Sequence, residues 1–211
     1  MRSALVSGVF LLALIGCGGA SEPGAGAQAG AAPSSEDKLS GWRLADDESR
    51  LAFVSIKAGE VAETHTFRQL SGAMDESGIA EVTIDLASVE TQVDIRNERM
   101  REIFFETAQF PDATVTADVP LEGLADLEVG ARTGMVLPIA VTLHGMTAEY
   151  DADVFVSRLA DGRVLVETAS PVLTSAGDFG LLQGVERLRE IAGLPSISPA
   201  VPVTVSLVFE Q

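Results

Sequence analysis

Lysine and arginine are scarce in this chain of 211 residues, 14 against 31 aspartate and glutamate, for a formal net charge of -17. That balance excludes nucleic acid as a partner, because such binding rests on Lys and Arg contacts to phosphate. It also speaks against a domain lying flat on an anionic membrane face. Cysteine occurs once, at Cys17, so no intramolecular disulfide can form and the fold must be held by its core alone. The two histidines, His65 and His144, are far apart and neither sits at a ligand spacing such as H-x-x-x-H. With a carboxylate such as Glu63 they do not amount to a metal centre, and no metal or cofactor is expected. G-x-S-x-G is absent, and the letters D-F-G at 178–180 lack the Gly-rich loop and H-R-D of a kinase. Aromatics are few, with nine Phe, one Trp and one Tyr. No apolar run reaches the ~20 residues that a membrane-spanning helix needs.

The N-terminus carries Arg2, an apolar run from Leu5 to Ile15, the small residue Gly16 and then Cys17. This is the layout of a secretory signal, and Leu14-Ile15-Gly16-Cys17 resembles the lipobox of bacterial lipoproteins. The resemblance implies a signal peptide over 1–16 and lipidation of Cys17, anchoring the protein in the cell envelope, facing the periplasm. Gly18, where an aspartate would otherwise follow, leans towards the outer membrane. Gly18 to Ser35 is almost wholly Gly, Ala, Ser and Pro and cannot bury enough surface to order itself. Residues 17–40 are thus read as the lipidated cysteine and a flexible linker, and 41–211 as one domain.

Within that domain period-two alternation dominates. Val82, Ile84 and Leu86 alternate with Glu81, Thr83 and Asp85; Val115, Ala117 and Val119 with Thr114, Thr116 and Asp118. Leu137, Ile139, Val141 and Leu143 share a face, and Val154 and Val156 lead through Asp161-Gly162 to Val164-Leu165-Val166, a hairpin signal. A last strand runs through Val201, Val203, Val205, Leu207 and Phe209. Two segments break the period. Asn97 to Phe105 places Met100, Ile103 and Phe104 at helical spacing, with Asp94 as a cap, and Gly184 to Ala192 is amphipathic with Gly193 at the C-cap position. The fold expected is mainly β, an antiparallel sandwich or closed barrel with one or two short helices.

Several blocks match one family in order. Ala62 to Gly72 (AETHTFRQLSG), Val82 to Asn97 (VTIDLASVETQVDIRN), Glu98 to Ala113, Val136 to Tyr150 (VLPIAVTLHGMTAEY) and Asp178 to Ile197 resemble the YceI-like family over about Trp42 to Gln211. The resemblance implies an eight-stranded antiparallel lipocalin-like barrel, binding an isoprenoid lipid, a polyisoprenoid or isoprenoid quinone, in an apolar cavity. Transport, storage or buffering of that lipid in the envelope are the roles it implies. Some members are dimers, so a homodimer is a further expectation. An enzyme is not expected.

Residues placed on inward faces as candidate cavity lining are Phe53, Val82, Ile84, Leu86, Met100, Phe104, Ile139, Val141 and Phe155. His65, His144 and Arg96 are candidates for touching a ligand headgroup at the barrel mouth. For Arg96, Arg99 and Arg101 the plainer reading is ion pairing with Glu98, Glu102 and Glu106 at helical spacings. Asp46-Asp47 and Glu48 read as solvated surface. Two alternatives stay open. One is an enzyme or chaperone for a small apolar substrate using His65 or His144 as base. The other is a protein-interaction module whose barrel is filled.

Overall fold

The computed structural model describes residues 41–211. The expectations for the 1–16 signal, Cys17 and the rest of the linker to residue 40 lie outside the described residues. No described helix is long and apolar enough to cross a membrane.

Twelve strands form one antiparallel sheet: β1 (Trp42–Leu44), β2 (Arg50–Lys57), β3 (Val61–Phe67), β4 (Leu70–Met74), β5 (Ile79–Asp85), β6 (Val89–Glu90), β7 (Asp112–Asp118), β8 (Arg132–Leu143), β9 (Met146–Ala160), β10 (Arg163–Thr168), β11 (Val172–Ser175) and β12 (Ala200–Glu210). Several are halves of one bent stave. β1 and β2 both pair with β12, β10 and β11 pair with its other edge, and β3 with β4 face β6 with β5. Counted as staves there are eight, and the ring closes because β1 pairs with both β4 and β12. Closure reduces the edge open to pairing with another chain, although among the described residues β11 has a ladder with β12 alone.

Bends occur where local chemistry ends the ladder. Between β5 and β6 the turn Leu86–Ser88 is capped by Asp85, whose side chain accepts from the Ala87 N–H. Gly72, within β4, lies where a Cβ would stand 2.8 Å from the Glu81 carbonyl oxygen, so the close approach of β4 to β5 requires glycine.

Two helical segments plug one end of the barrel. The first comprises α1 (Asp94–Arg99), continued by a widened π turn over Met100–Phe104. This differs from the single regular helix expected over Asn97–Phe105. Asp94 lies in the first turn rather than capping it, and the π turn shifts the helical phase so that Phe105 is buried beside Met100. Asn97 anchors the segment by accepting from the Thr91 N–H (2.8 Å) and hydroxyl (2.6 Å). The second is the short turn Ala176–Phe179 followed by α2 (Leu182–Ala192), with Gly193 in the left-handed region at its C-cap. Gly184 lets α2 approach Phe104, where a Cβ would meet the ring at 3.0 Å. Tyr150 holds the turn through a 2.7 Å bond from its hydroxyl to Asp178. Burial, then the Asp178 carboxylate, pushes the Tyr150 phenol up to about 12.

The opposite end has no helix. There residues 119–131 cross without regular structure between β7 and β8.

Candidate functional site

The inward faces of the staves do not meet at the barrel axis. They enclose a cavity of about 590 Å³, within the ~300–1,000 Å³ of small-molecule sites. Its wall is almost entirely aliphatic and aromatic: Leu51 and Phe53 of β2, Val82 and Ile84 of β5, Val115 of β7, Ile139 and Val141 of β8, and Val154 and Val156 of β9. Phe104, Phe179 and Leu181 floor it at the helical end, and Leu121, Leu124 and Leu127 roof it at the loop end. The barrel is not filled by its own side chains, which removes the ground for the filled-module reading.

Of the nine residues expected on the wall, Phe53, Val82, Ile84, Leu86, Phe104, Ile139 and Val141 border the cavity. Two do not. Met100 is buried within the helical plug, in the cluster that contains Leu86 and Phe105. Phe155 lies on the outer face, since Val154 and Val156 point inward and side chains alternate along a strand. The guanidinium of Arg132, on neighbouring β8, sits 3.4 Å over its ring.

None of the three headgroup candidates borders the cavity. His65 is opposite Phe53 in the β2–β3 register, its ring 5.2 Å from the Phe53 ring, and only 5 % exposed. Its Nε2 is 2.8 Å from the Ser55 hydroxyl, while Nδ1 is buried without a partner. A catalytic base in such a Ser–His pair would need a carboxylate at Nδ1 to orient it. The nearby carboxylate, Glu63, is instead held by Lys57 (2.8 Å) and Arg96 (2.6 Å). Those cations, Lys57 foremost, hold the Glu63 carboxyl below its usual range. Arg96 also donates to the Thr91 carbonyl at 2.5 Å. It therefore does not pair with the glutamates of its own helical segment as the spacing predicts. The reason is tertiary, because α1 lies across the end of β3, where a carboxylate already faces it. His144 sits in the β8–β9 turn, bonded through Nε2 to Glu106 at 2.8 Å and packed at a tilt against Phe110, 4.2 Å between ring centres. It ties that turn to the exit of the π turn. Among the described residues no three His, Cys, Asp or Glu side chains are grouped to hold a metal ion.

Burial lowers the His65 pKa below its ordinary 6.5, and the Arg96 charge lowers it further. The folded state therefore holds a neutral ring and the unfolded chain binds the proton more readily. The stability this contributes is full above pH 6.5 and is lost as pH falls below it. Between about pH 7 and pH 5 the unfolding free energy of the native protein should fall faster than that of a His65→Gln variant, by up to about 1.4 kcal/mol per pH unit. Urea titrations at each pH measure it, and parallel curves would refute the assignment. The Glu63 contribution is lost only below 4.5 and leaves that window clear.

The sequence reading missed Arg158. It follows Val154 and Val156 on the same face of β9 and is the one charged side chain bordering the cavity among the described residues. The signal was present in the parity of the strand, but a charge near a hairpin is ordinarily placed outside. Trp42, in the three-residue strand β1, was missed as well, as were the three roof leucines, because the 119–131 segment has no periodicity to read.

Comparison with known proteins places this geometry. A family model described as the YceI-like domain matches residues 42–209. Among solved structures, a polyisoprenoid binding domain from Saccharophagus degradans, implicated in plant cell wall breakdown, is 42% identical, with a TM-score of 0.79 over 81% of this chain and 98% of that one. BcnA of Burkholderia cenocepacia shares the fold at 18% identity, with a TM-score of 0.60 over 78% of this chain and 98% of that one. No curated protein matches the chain.

Proposed function

Since the chain belongs to the YceI-like family, we propose that its barrel binds the apolar tail of a polyisoprenoid or isoprenoid quinone by burial alone. The observation that carries this reading is the closed, nearly uncharged cavity, which offers a slim hydrocarbon chain contact on all sides. Each methylene-sized group moved from water into it contributes roughly 0.8 kcal/mol. A chain drawn from a bilayer gains far less, because lipid tails are as apolar as the wall. The barrel and a membrane therefore compete on nearly equal terms, which suits reversible loading for transport, storage or buffering. The 42% identical polyisoprenoid-binding domain supports the same class of ligand.

The anchor completes the reading. Lipidation of Cys17, argued from Leu14-Ile15-Gly16-Cys17 alone, would keep the domain at the envelope membrane that holds such lipids, in the outer membrane by the Gly18 argument. Two acyl signals would make attachment stable. Organic extraction of protein purified from its native host, followed by mass spectrometry, should release a long-chain prenyl lipid. A Cys17→Ser form should still release it while appearing in the soluble rather than the membrane fraction. Protein that extracts empty and takes up no added prenyl lipid would sink the reading.

A further inference from the structure

The cavity is not symmetric in its polar groups. At the helical end its hydroxyls are engaged by their own backbone. Thr174 donates to the Val201 carbonyl at 2.9 Å, the Ser175 oxygen accepts from the Gly177 N–H at 3.1 Å, and the Thr168 oxygen accepts from the Val205 N–H at 3.2 Å. At the loop end stands Arg158. Its Nη1 donates to the carbonyls of Ala125 and Leu127, both at 3.2 Å, and so latches the roof. Its Nη2 reaches only Asp161, at 3.4 Å, whose side chain is 97 % exposed, a pairing of little energy. Nε and the second Nη2 hydrogen have no partner among the described residues. A guanidinium is a donor with no acceptor, in a fixed planar fork.

We propose that the ligand lies tail inward, with its polar head under the 119–131 loop and an acceptor oxygen of that head on Arg158. The inference rests on the apolar-chain reading above. The head is a carbonyl, carboxylate or phosphate oxygen, since only acceptors suit Arg158. Glu122, Asp126 and Glu128 on the same loop disfavour a head more highly charged than a monophosphate, such as a diphosphate. The tail end then meets the rings of Phe104 and Phe179, where no charged side chain stands among the described residues. Arg158 has two tasks in this arrangement: it holds the roof through the loop carbonyls and reads the head with the hydrogens left over.

Trp42, the sole tryptophan, reports the orientation. Arg43 pairs with Glu210, Glu210 with Arg163 and Val164 with Arg158, so Trp42 and Arg158 belong to the same rim. A geranylgeranyl chain brominated next to its head should quench Trp42 emission more than one brominated at the far end, and the reverse order would overturn the orientation. In titrations, the native protein should bind geranylgeranyl phosphate about tenfold more tightly than the corresponding hydrocarbon, as a charge-assisted hydrogen bond implies. Geranylgeraniol should fall between them. Arg158→Gln should abolish the phosphate preference, read as the ratio of phosphate to hydrocarbon affinity, while Arg158→Lys should keep part of it. A variant that loses affinity equally for all three ligands would reduce Arg158 to a latch, and an undiminished preference would remove it from the site. Failure of the native protein to bind any of the three would instead refute the apolar-chain reading itself.

Discussion

An Ala80→Phe/Ala117→Phe double variant should lose prenyl-lipid binding by at least about a hundredfold and yet unfold at the same or a higher temperature than the native protein. The two alanines are opposite each other in the β5–β7 register and both border the cavity. They lie one step from Asp118 and Ile79, the pair next to the loop end under which the ligand head is proposed to lie. Two phenyl rings there would occupy part of the cavity and remove several methylene-sized contacts, each worth roughly 0.8 kcal/mol, so a hundredfold loss needs only three or four of them. The effect on stability has the opposite sign. An empty apolar cavity forfeits contacts, and burying a phenyl ring in it contributes about 1.5–3 kcal/mol less any strain of repacking. Thermal unfolding and lipid titration on the same sample measure both. Full binding in a stable variant would mean that the ligand is held elsewhere than in this cavity.

Leu86→Ala should cost about 3 kcal/mol of unfolding free energy and lower the melting temperature by roughly 10 °C. Leu86 is 1 % exposed, the largest side chain so thoroughly buried among the described residues. It opens the turn that bends one stave, its N–H donates to the Pro111 carbonyl at 2.9 Å, and its side chain packs against the cluster containing Met100 and Phe105. Truncation removes contacts to the barrel wall and to the plug together. The new space adjoins the existing cavity, so an added prenyl lipid should restore part of the lost stability by filling it and binding only the folded state. Phe155→Ala is the control. Although it removes a larger side chain, that side chain lies outside the wall under Arg132 and should cost less than half as much. Denaturant unfolding with unchanged m-values would verify both, and equal losses at the two positions would contradict the inward and outward assignments.

Much of the wall was legible because a strand keeps its parity. Once Val82 and Ile84 are read as one face, each second residue follows, and Val115, Ile139 and Val141 take their places without knowledge of their neighbours. The same rule condemns Phe155 beside Val154 and Val156, and only its size and apolarity argued for an inward position. Arg158 was open to the rule as well. What hid it was the general tendency of charges to lie outside, which fails where a rim meets a roof of backbone carbonyls. The polar candidates were another matter. His65, Arg96 and Glu63 come together because β2, β3 and α1 converge at one end of the barrel, and no spacing along the chain encodes that meeting.

By itself the sequence determined the class of the fold, the alternation that makes an apolar interior, the Gly193 helix stop, and the acidity of the chain. These follow from short-range rules, in which each residue answers to neighbours two to four places distant. Only the tertiary structure decided that the interior stays open, that His65 and Arg96 stand at the helical end outside the cavity, and that Arg158 is the charged side chain that meets the cavity. Those outcomes depend on the closure of eight staves, which sets how far apart inward side chains stand. They depend also on which loop crosses which rim, and pairings across the ring govern both.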